Sequence, residues 1–417
     1  VGPVKQAKRK DEIQKLLVLG VMRHSSSPHA SPCMLIPKPD GTSRLVIDYR
    51  RVNSACVPLM YAHPLPRIDD LINKIGQANF LTKVDITKAY WNVPMEEDSI
   101  ALTAFVTPHG HYEWTVLPFG LSGAPGTFQR IINLALTGLE EFAGAYLDDI
   151  VVHSETWEDH LIHVRKTLMA IQLAGMKANR LKCEFGKAII DYLGFRIGLK
   201  YLSPRDRNIQ AMVEFLRPIS KKQIQKWIGM VSHYRRFIPN MTEIVEPLNQ
   251  VMKSKNFHWT VEADHAFDKI KQIMSNSPVL RTPDFSIPFC LSIDASNIGM
   301  GGFLFQVIDG VEHPVCFFSR KLDAHQKNYA IVEKECLALM SAVRFFHVYF
   351  EGPEPITVYT DHSPLTFLDR MSNSNDKLLR WRLELQKYPL HIVHRPGRDM
   401  FLPDILSRPE LEAQGCG

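Results

Sequence analysis

No C-x-x-C pair occurs among the seven cysteines of this chain. Zinc ribbons and dithiol redox sites depend on that spacing, and scattered cysteines fit a reducing compartment better than a disulfide framework. Long apolar runs are also missing. Stretches such as Ala188-Ile189-Ile190 are far too short to span a bilayer, so no membrane partner is expected. The start, Val1-Gly2-Pro3-Val4-Lys5, has no apolar signal segment. It has no initiator Met either, and the chain is expected to be cut from a longer one. Internal repeats and low-complexity tracts are absent. A strong charge of one sign is lacking too. The formal net charge of +5 is too mild to argue for nucleic-acid binding by itself.

What is present fits a soluble globular protein of two or three domains: 417 residues, 45% hydrophobic and 22% charged. The basic residues cluster, at Arg50-Arg51, Lys221-Lys222, Arg235-Arg236 and Arg320-Lys321. Some sit beside aromatics, as in His233-Tyr234-Arg235-Arg236-Phe237.

Apolar spacing predicts an amphipathic helix over 6–20 and strands at Met34–Ile36 and Arg44–Ile47, joined by a Lys38-Pro39-Asp40-Gly41 turn. A helix over 67–75, a strand over Phe80–Asp85, and helices over 126–139 and 157–174 follow. Residues 204–271 read as successive helices. From Pro288 the pattern reads strand, strand, helix, strand, helix, with Phe289–Asp294 as the core strand. These shifts place boundaries near 203 and 284.

Tyr146-Leu147-Asp148-Asp149 is the sharpest local feature. Adjacent acids within an apolar strand–turn–strand repel each other, and such a pair earns its place by holding cations. Asp85 ends its own strand and supplies a third carboxylate. Phosphoryl transfer to a 3′-hydroxyl needs an activated hydroxyl and a neutralised pyrophosphate, which paired Mg²⁺ ions on hard oxygen ligands supply.

The order of motifs then becomes specific. Val84-Asp85-Ile86 through Tyr90, Leu117-Pro118-Phe119-Gly120 through Arg130, and Tyr146–Asp149 resemble the reverse transcriptases of gypsy-like long-terminal-repeat retrotransposons. Ser31-Pro32, Lys38–Gly41 and Arg44–Arg50 are similar to their fingers. The resemblance implies that Asp85, Asp148 and Asp149 bind the catalytic metals. It implies that Lys38 and Arg44 contact the incoming deoxynucleoside triphosphate, and that Tyr90 lies under its sugar and rejects a 2′-hydroxyl. Phe119 and Gln129 would line the nucleotide pocket, although Gln129 also reads as a residue of the helix surface. Tyr192–Phe195 resembles the region that grips the primer end. Gln225 through Ile238 resembles the thumb helices, where backbone phosphates would be contacted and Trp227 is read as core.

A second constellation follows: Asp294 after a strand, Glu335 on a helix, Asp361 after another strand and Asp404 on a final helix. In this order they resemble the ribonuclease H domain of the same polyproteins. The resemblance implies two further Mg²⁺ ions that activate water against a phosphodiester. Glu333 competes with Glu335, and Glu335 is preferred because Glu-x-x-Ala matches the nuclease helix with Ala338 against the sheet. His394, placed on a loop, matches a mobile histidine of related nucleases that assists product release or proton transfer. Two positions depart from the pattern: Met400 stands for the family's Asn and Pro403 for its Ala, which bears on nuclease efficiency.

The expectation is an α+β and α/β multidomain chain. Fingers and palm occupy 1–203, a helical thumb or connecting segment 204–283, a ribonuclease H-like mixed sheet with flanking helices 284–410, and a tail 411–417. The resemblance implies an RNA- and DNA-directed DNA polymerase with ribonuclease H activity, using Mg²⁺ or Mn²⁺. Its partners would be RNA/DNA hybrid and DNA primer–template, with homodimerisation left open. Its place would be intracellular, in the cytoplasm and within virus-like particles. Two alternatives remain at this point: a domesticated hybrid-binding protein of weak catalysis, and a nuclease-only enzyme.

Overall fold

The computed structural model describes residues 3–37, 43–55, 64–276, 278–350, 354–363, 365 and 376–396. Lys38, Met400, Pro403 and Asp404, singled out above, lie outside the described residues. The chain divides into two compact units, Val1–Ile190 and Asp191–Gly417. No helix among the described residues is long and apolar enough to cross a membrane.

The first unit holds two sheets. One runs, in spatial order, Met22–His24, Gly110–Trp114, Phe105–Thr107, Ser31–Pro37 and Ser43–Ile47. The helix Pro3–Val18 buries Ile13 and Leu16 against its core, beside Ile47, Phe105 and Trp114. The second sheet is antiparallel, in the order Ala143–Tyr146, Asp149–Ser154, Phe80–Asp85, Glu184–Lys187. Val84 and Ile150 of this sheet share a core with Phe128 and Ile132 of the helix Ala124–Ala135. That helix starts two residues before the expected 126, because Pro125 is accommodated in its first turn, where its missing N–H costs nothing. The helix Trp157–Leu173 is capped by Thr156, whose hydroxyl accepts the Asp159 N–H at 3.2 Å.

The second unit opens with a small sheet containing Phe195–Gly198, Tyr201–Pro204 and Leu280–Arg281. Helices Asp206–Val213, Lys221–Ser232, Glu246–Lys253 and Val261–Ser275 follow. Trp227 is fully buried here, its ring 5.1 Å from Phe215 and 4.8 Å from Phe267. It is a core residue.

A five-stranded mixed sheet then runs Val311–Lys321, Gly299–Ile308, Phe289–Ala295, Ile356–Thr360, Leu390–His394. The first three are antiparallel and the last two join in parallel. The helix Ile331–Phe345 packs on it, with Ala338, Leu339 and Ala342 against Leu291, Ile293 and Leu304. Two of these strands were missed in sequence. Val311–Lys321 is buried continuously from Pro314 to Ser319, so it shows no alternation. Its Pro314 sits at a register shift opposite Leu304/Phe305, where a bulge tolerates a residue without an N–H. Leu390–His394 is a short, half-exposed edge strand.

Candidate functional site

Asp85 is the last residue of its strand and lies directly opposite Asp149 in the antiparallel register. Asp148 sits in the tight turn between the two strands that follow. The turn is held at Leu147, which takes a left-handed φ of 54°. A leucine there is strained and must be fixed by its surroundings. The fixing group is Gln129. Its Oε1 accepts the Leu147 N–H at 2.8 Å. Its Nε2 donates to Ala145 O at 3.0 Å and Asn133 Oδ1 at 2.8 Å. Gln129 is fully buried. The expectation that it lines the nucleotide pocket, or lies on the helix surface, is therefore corrected: its amide is spent on the backbone of the acidic turn.

Lys182 Nζ lies 3.5 Å from Asp85 Oδ2, and Lys83 pairs with Glu184 at 3.3 Å. Desolvation pushes the Asp149 carboxyl above its ordinary value, with Asp148 and Asp85 adding to it and Lys83 and Lys182 opposing.

Tyr90, Phe119 and Arg44 meet beside these acids. The Tyr90 ring is 4.9 Å from Phe119 and edge-on to Phe128 at 5.6 Å. The Arg44 guanidinium lies 4.4 Å over the Phe119 ring. Tyr90's hydroxyl is pushed up by burial and then by the Asp148 charge. Sequence reasoning missed Asn53. Its Nδ2 donates to Gly120 O and its Oδ1 accepts the Ser122 N–H, both at 2.9 Å. It thereby fixes the loop that presents Phe119. Its partners lie 67 and 69 residues away, beyond any local pattern.

The Tyr192–Phe195 segment turns sharply, with Leu193 at φ 49° and Gly194 at φ 93°. Gly194 O accepts the Tyr234 hydroxyl at 3.1 Å and Asn208 Nδ2 at 3.3 Å.

In the mixed sheet, Ser292 pairs in parallel with Tyr359. Asp294 and Asp361 each follow by two residues and so share one face. Glu335 reaches them from the helix. Ligand oxygens of Asp294, Glu335 and Asp361 all lie within 4.8 Å of one another, the one such grouping of three or more among the described residues. The palm trio does not close to that distance. Burial, then Asp294 and Asp361, push the Glu335 carboxyl up to about 8. Asp294 is raised too, by desolvation and then by Asp361 and Glu243. Glu333 does something else: its Oε2 accepts the Ala330 N–H at 3.1 Å, closing the helix start, and its Oε1 pairs with Lys377 at 3.1 Å.

The nuclease residues fit a divalent cation. Glu335 Oε2 is buried with no hydrogen-bond partner among the described residues. Three crowded carboxylates with an orphaned oxygen are a hard, anionic donor set of the kind such ions take. His394 is the last residue of an edge strand, not a loop residue as expected, because Thr360 pairs with it in register. It is exposed, and its Nε2 lies 3.2 Å from Asp361 O.

An antiparallel sheet carrying Asp85 and Asp149 at strand ends, with Asp148 in the turn between, is thus followed by a mixed sheet with its own acid cluster. Residues 36–197 match the family model for reverse transcriptase (RNA-dependent DNA polymerase). Residues 284–388 match the RNase H-like domain found in reverse transcriptase. Over 410 residues the chain is 35% identical to the retrovirus-related Pol polyprotein of transposon 297 from Drosophila melanogaster, covering 96% of this chain and 38% of that protein. It is 34% identical over 414 residues to the transposon Tf2-3 polyprotein of Schizosaccharomyces pombe, covering 97% and 31%. The chain thus spans about a third of the length of these relatives. A foamy viral protease-reverse transcriptase in complex with double-stranded DNA shares the fold, with a TM-score of 0.81 at 23% identity, over 97% of this chain and 71% of that one. The foamy viral enzyme in complex with RNA/DNA hybrid gives a TM-score of 0.76 at 23% identity, over 100% and 56%. The chain belongs to the reverse transcriptases of retroelement Pol polyproteins, with a polymerase portion followed by a ribonuclease H-like domain. Both kinds of domain use divalent metals.

Proposed function

We propose that this chain copies RNA into DNA, copies that DNA into a second strand, and degrades the RNA of the intermediate hybrid. The carrying observation is that two separate acid constellations, each built around strand-end aspartates, fall within the two matched domains of one chain. A gypsy-like long-terminal-repeat element is the source this reading favours, and an intracellular virus-like particle is its setting. Residues 1–203 serve as fingers and palm, 204–283 as thumb and connecting segment, and 284–410 as nuclease.

Asp85, Asp148 and Asp149 would hold a pair of Mg²⁺ ions in the palm, and Asp294, Glu335 and Asp361, with Asp404, a second pair in the nuclease; Mn²⁺ would serve in either. Bound there, such ions supply charge neutralisation and a nucleophile of lowered pKa. The chain's own groups do the rest. Arg44 offers a forked donor to the triphosphate. Tyr90, braced by Phe119 and Phe128, presents a flat ring to the sugar. Gln129 keeps Asp148 aimed by holding Leu147. His394 stands at the Asp361 backbone, where an exposed imidazole can exchange protons or help release product. The complexes formed by the foamy viral enzymes support duplex DNA and RNA/DNA hybrid as partners.

Primer extension on poly(rA)/oligo(dT) tests the polymerase. The purified chain extends with Mg²⁺ or Mn²⁺, and Asp148→Asn abolishes extension while leaving hybrid cleavage intact. Asp361→Asn does the converse. A wild-type chain that neither extends nor cleaves would leave only the hybrid-binding reading, and cleavage without extension the nuclease-only one.

A further inference from the structure

The nuclease acids are braced from outside their own sheet. The short helix Met241–Ile244 belongs to the helical segment that precedes the nuclease strands, yet it lies against them. Thr242 donates its N–H and its hydroxyl to Ser319 Oγ, at 3.1 and 3.0 Å. Arg235 Nη2 donates to Ser319 O at 2.8 Å, and Lys321 pairs with Glu246. Asn240, at φ 47°, brings its Oδ1 so near Gly301 that a Cβ there would collide with it. The helix is therefore seated, and its one acid is aimed.

That acid, half-buried Glu243, meets the turn between Phe289–Ala295 and Gly299–Ile308. Ser296 Oγ donates to Glu243 Oε1. Ser296 Oγ also accepts the N–H groups of Ile298 and Gly299, both at 3.1 Å, while its own N–H donates to Gly299 O at 2.8 Å. Gly299 O lies 3.1 Å from the same hydroxyl, but a serine has one proton and a carboxylate is the stronger acceptor. Two residues back, at the end of the same strand, stands Asp294, whose carboxylate shares the 4.8 Å cluster with Glu335 and Asp361.

We propose that Glu243 is a positioning residue of the nuclease, fixing the Ser296 turn and through it the strand end that carries Asp294 into the cluster with Glu335. This rests on the reading of residues 284–388 as a hybrid nuclease. It follows that the nuclease site is incomplete within its own domain, because Glu243 precedes the matched segment by 41 residues (284 − 243).

The test uses the full chain, with RNA/DNA-hybrid cleavage and primer extension measured on each preparation. Glu243→Ala lowers kcat for cleavage roughly tenfold, as loss of an outer partner of a metal-site ligand does. KM for hybrid and primer extension stay unchanged. Glu243→Gln restores cleavage, because its amide oxygen still accepts the Ser296 proton. Ser296→Ala reproduces the loss, and Glu243→Ala adds nothing on top of it. A binding readout runs alongside. In a chain whose palm acids are silenced by Asp148→Asn and Asp149→Asn, Mn²⁺ titration followed by electron paramagnetic resonance shows weaker binding for Glu243→Ala. Unchanged cleavage and Mn²⁺ affinity in Glu243→Ala, or additive losses in the double variant, overturn the proposal. If the wild-type chain cleaves no hybrid, the nuclease reading falls, and the Mn²⁺ titration alone decides the role of Glu243.

Discussion

The palm and the nuclease hold the same donor type in opposite electrostatic states. In the palm, Asp148 is exposed on a turn, and Lys182 stands 3.5 Å from Asp85. Cationic side chains already share the field of these acids, and the three do not close into a tight group. In the nuclease, three carboxylates converge within 4.8 Å, and among the described residues none forms an ion pair with a lysine or arginine. Glu335 responds by holding its proton to about pH 8. The palm acids thus stand apart with cations beside them, whereas the nuclease acids are gathered with no ion-paired cation among the described residues. Backbone geometry follows the same division. The palm acids depend on one strained turn and one glutamine, while the nuclease acids depend on two parallel strands and a buried helix.

Breaking the brace of the palm should have the largest effect. Gln129→Leu leaves the Leu147 N–H and Ala145 O without partners in a buried site. Primer extension should fall roughly 10–100-fold, while hybrid cleavage by the same protein is untouched. Extension at the wild-type rate would show that the turn holds itself.

The nuclease contrast is sharpened by pH. The folded chain keeps the Glu335 proton to about pH 8, whereas an unfolded glutamate loses it near 4.5. Stability from this group is full below pH 4.5 and is lost as pH rises through 8. In EDTA, Glu335→Gln should match the wild type near pH 5 and exceed it above pH 8 by on the order of 1–2 kcal/mol. Divalent cation should close the gap by raising the wild-type melting temperature. Thermal melts that show no pH-dependent gap would remove the crowding argument.

The smallest effect belongs to Lys182. It is exposed, and its pairing with Asp85 is worth under about 1 kcal/mol. Lys182→Ala should leave the melting temperature nearly unchanged and lower the Mg²⁺ needed for half-maximal extension by less than about fivefold. A larger shift would mean that the lysine gates the metal site.

Much of this was legible from residue order. Phe80–Asp85 emerges with the expected limits because its run of strand-forming residues ends at an acid. The acidic hairpin is equally plain. What escaped has a common cause. Gln129 works on backbone atoms 16 and 18 residues downstream, Asn53 on a loop 67 residues away, and Glu243 on a serine 53 residues away. Each uses side-chain polarity to steer another segment's main chain, and no periodicity records such a partner. Val311–Lys321 escaped for a different reason, since a strand buried on both faces and broken by a proline shows neither alternation nor an uninterrupted β-former run.

The parallel pairing of Ser292 with Tyr359 also says where this chain can change length. Asp294 and Asp361 keep step only while each strand keeps its count. One residue gained or lost inside Phe289–Ala295 or Ile356–Thr360 would turn an acid to the opposite face of the sheet. Beyond the Ser296–Gly299 turn held by Glu243, the chain between these strands carries no such constraint at its connecting loops. Insertions and deletions in descendants of this sequence should therefore collect in those loops, with the two short strands as fixed rulers between them.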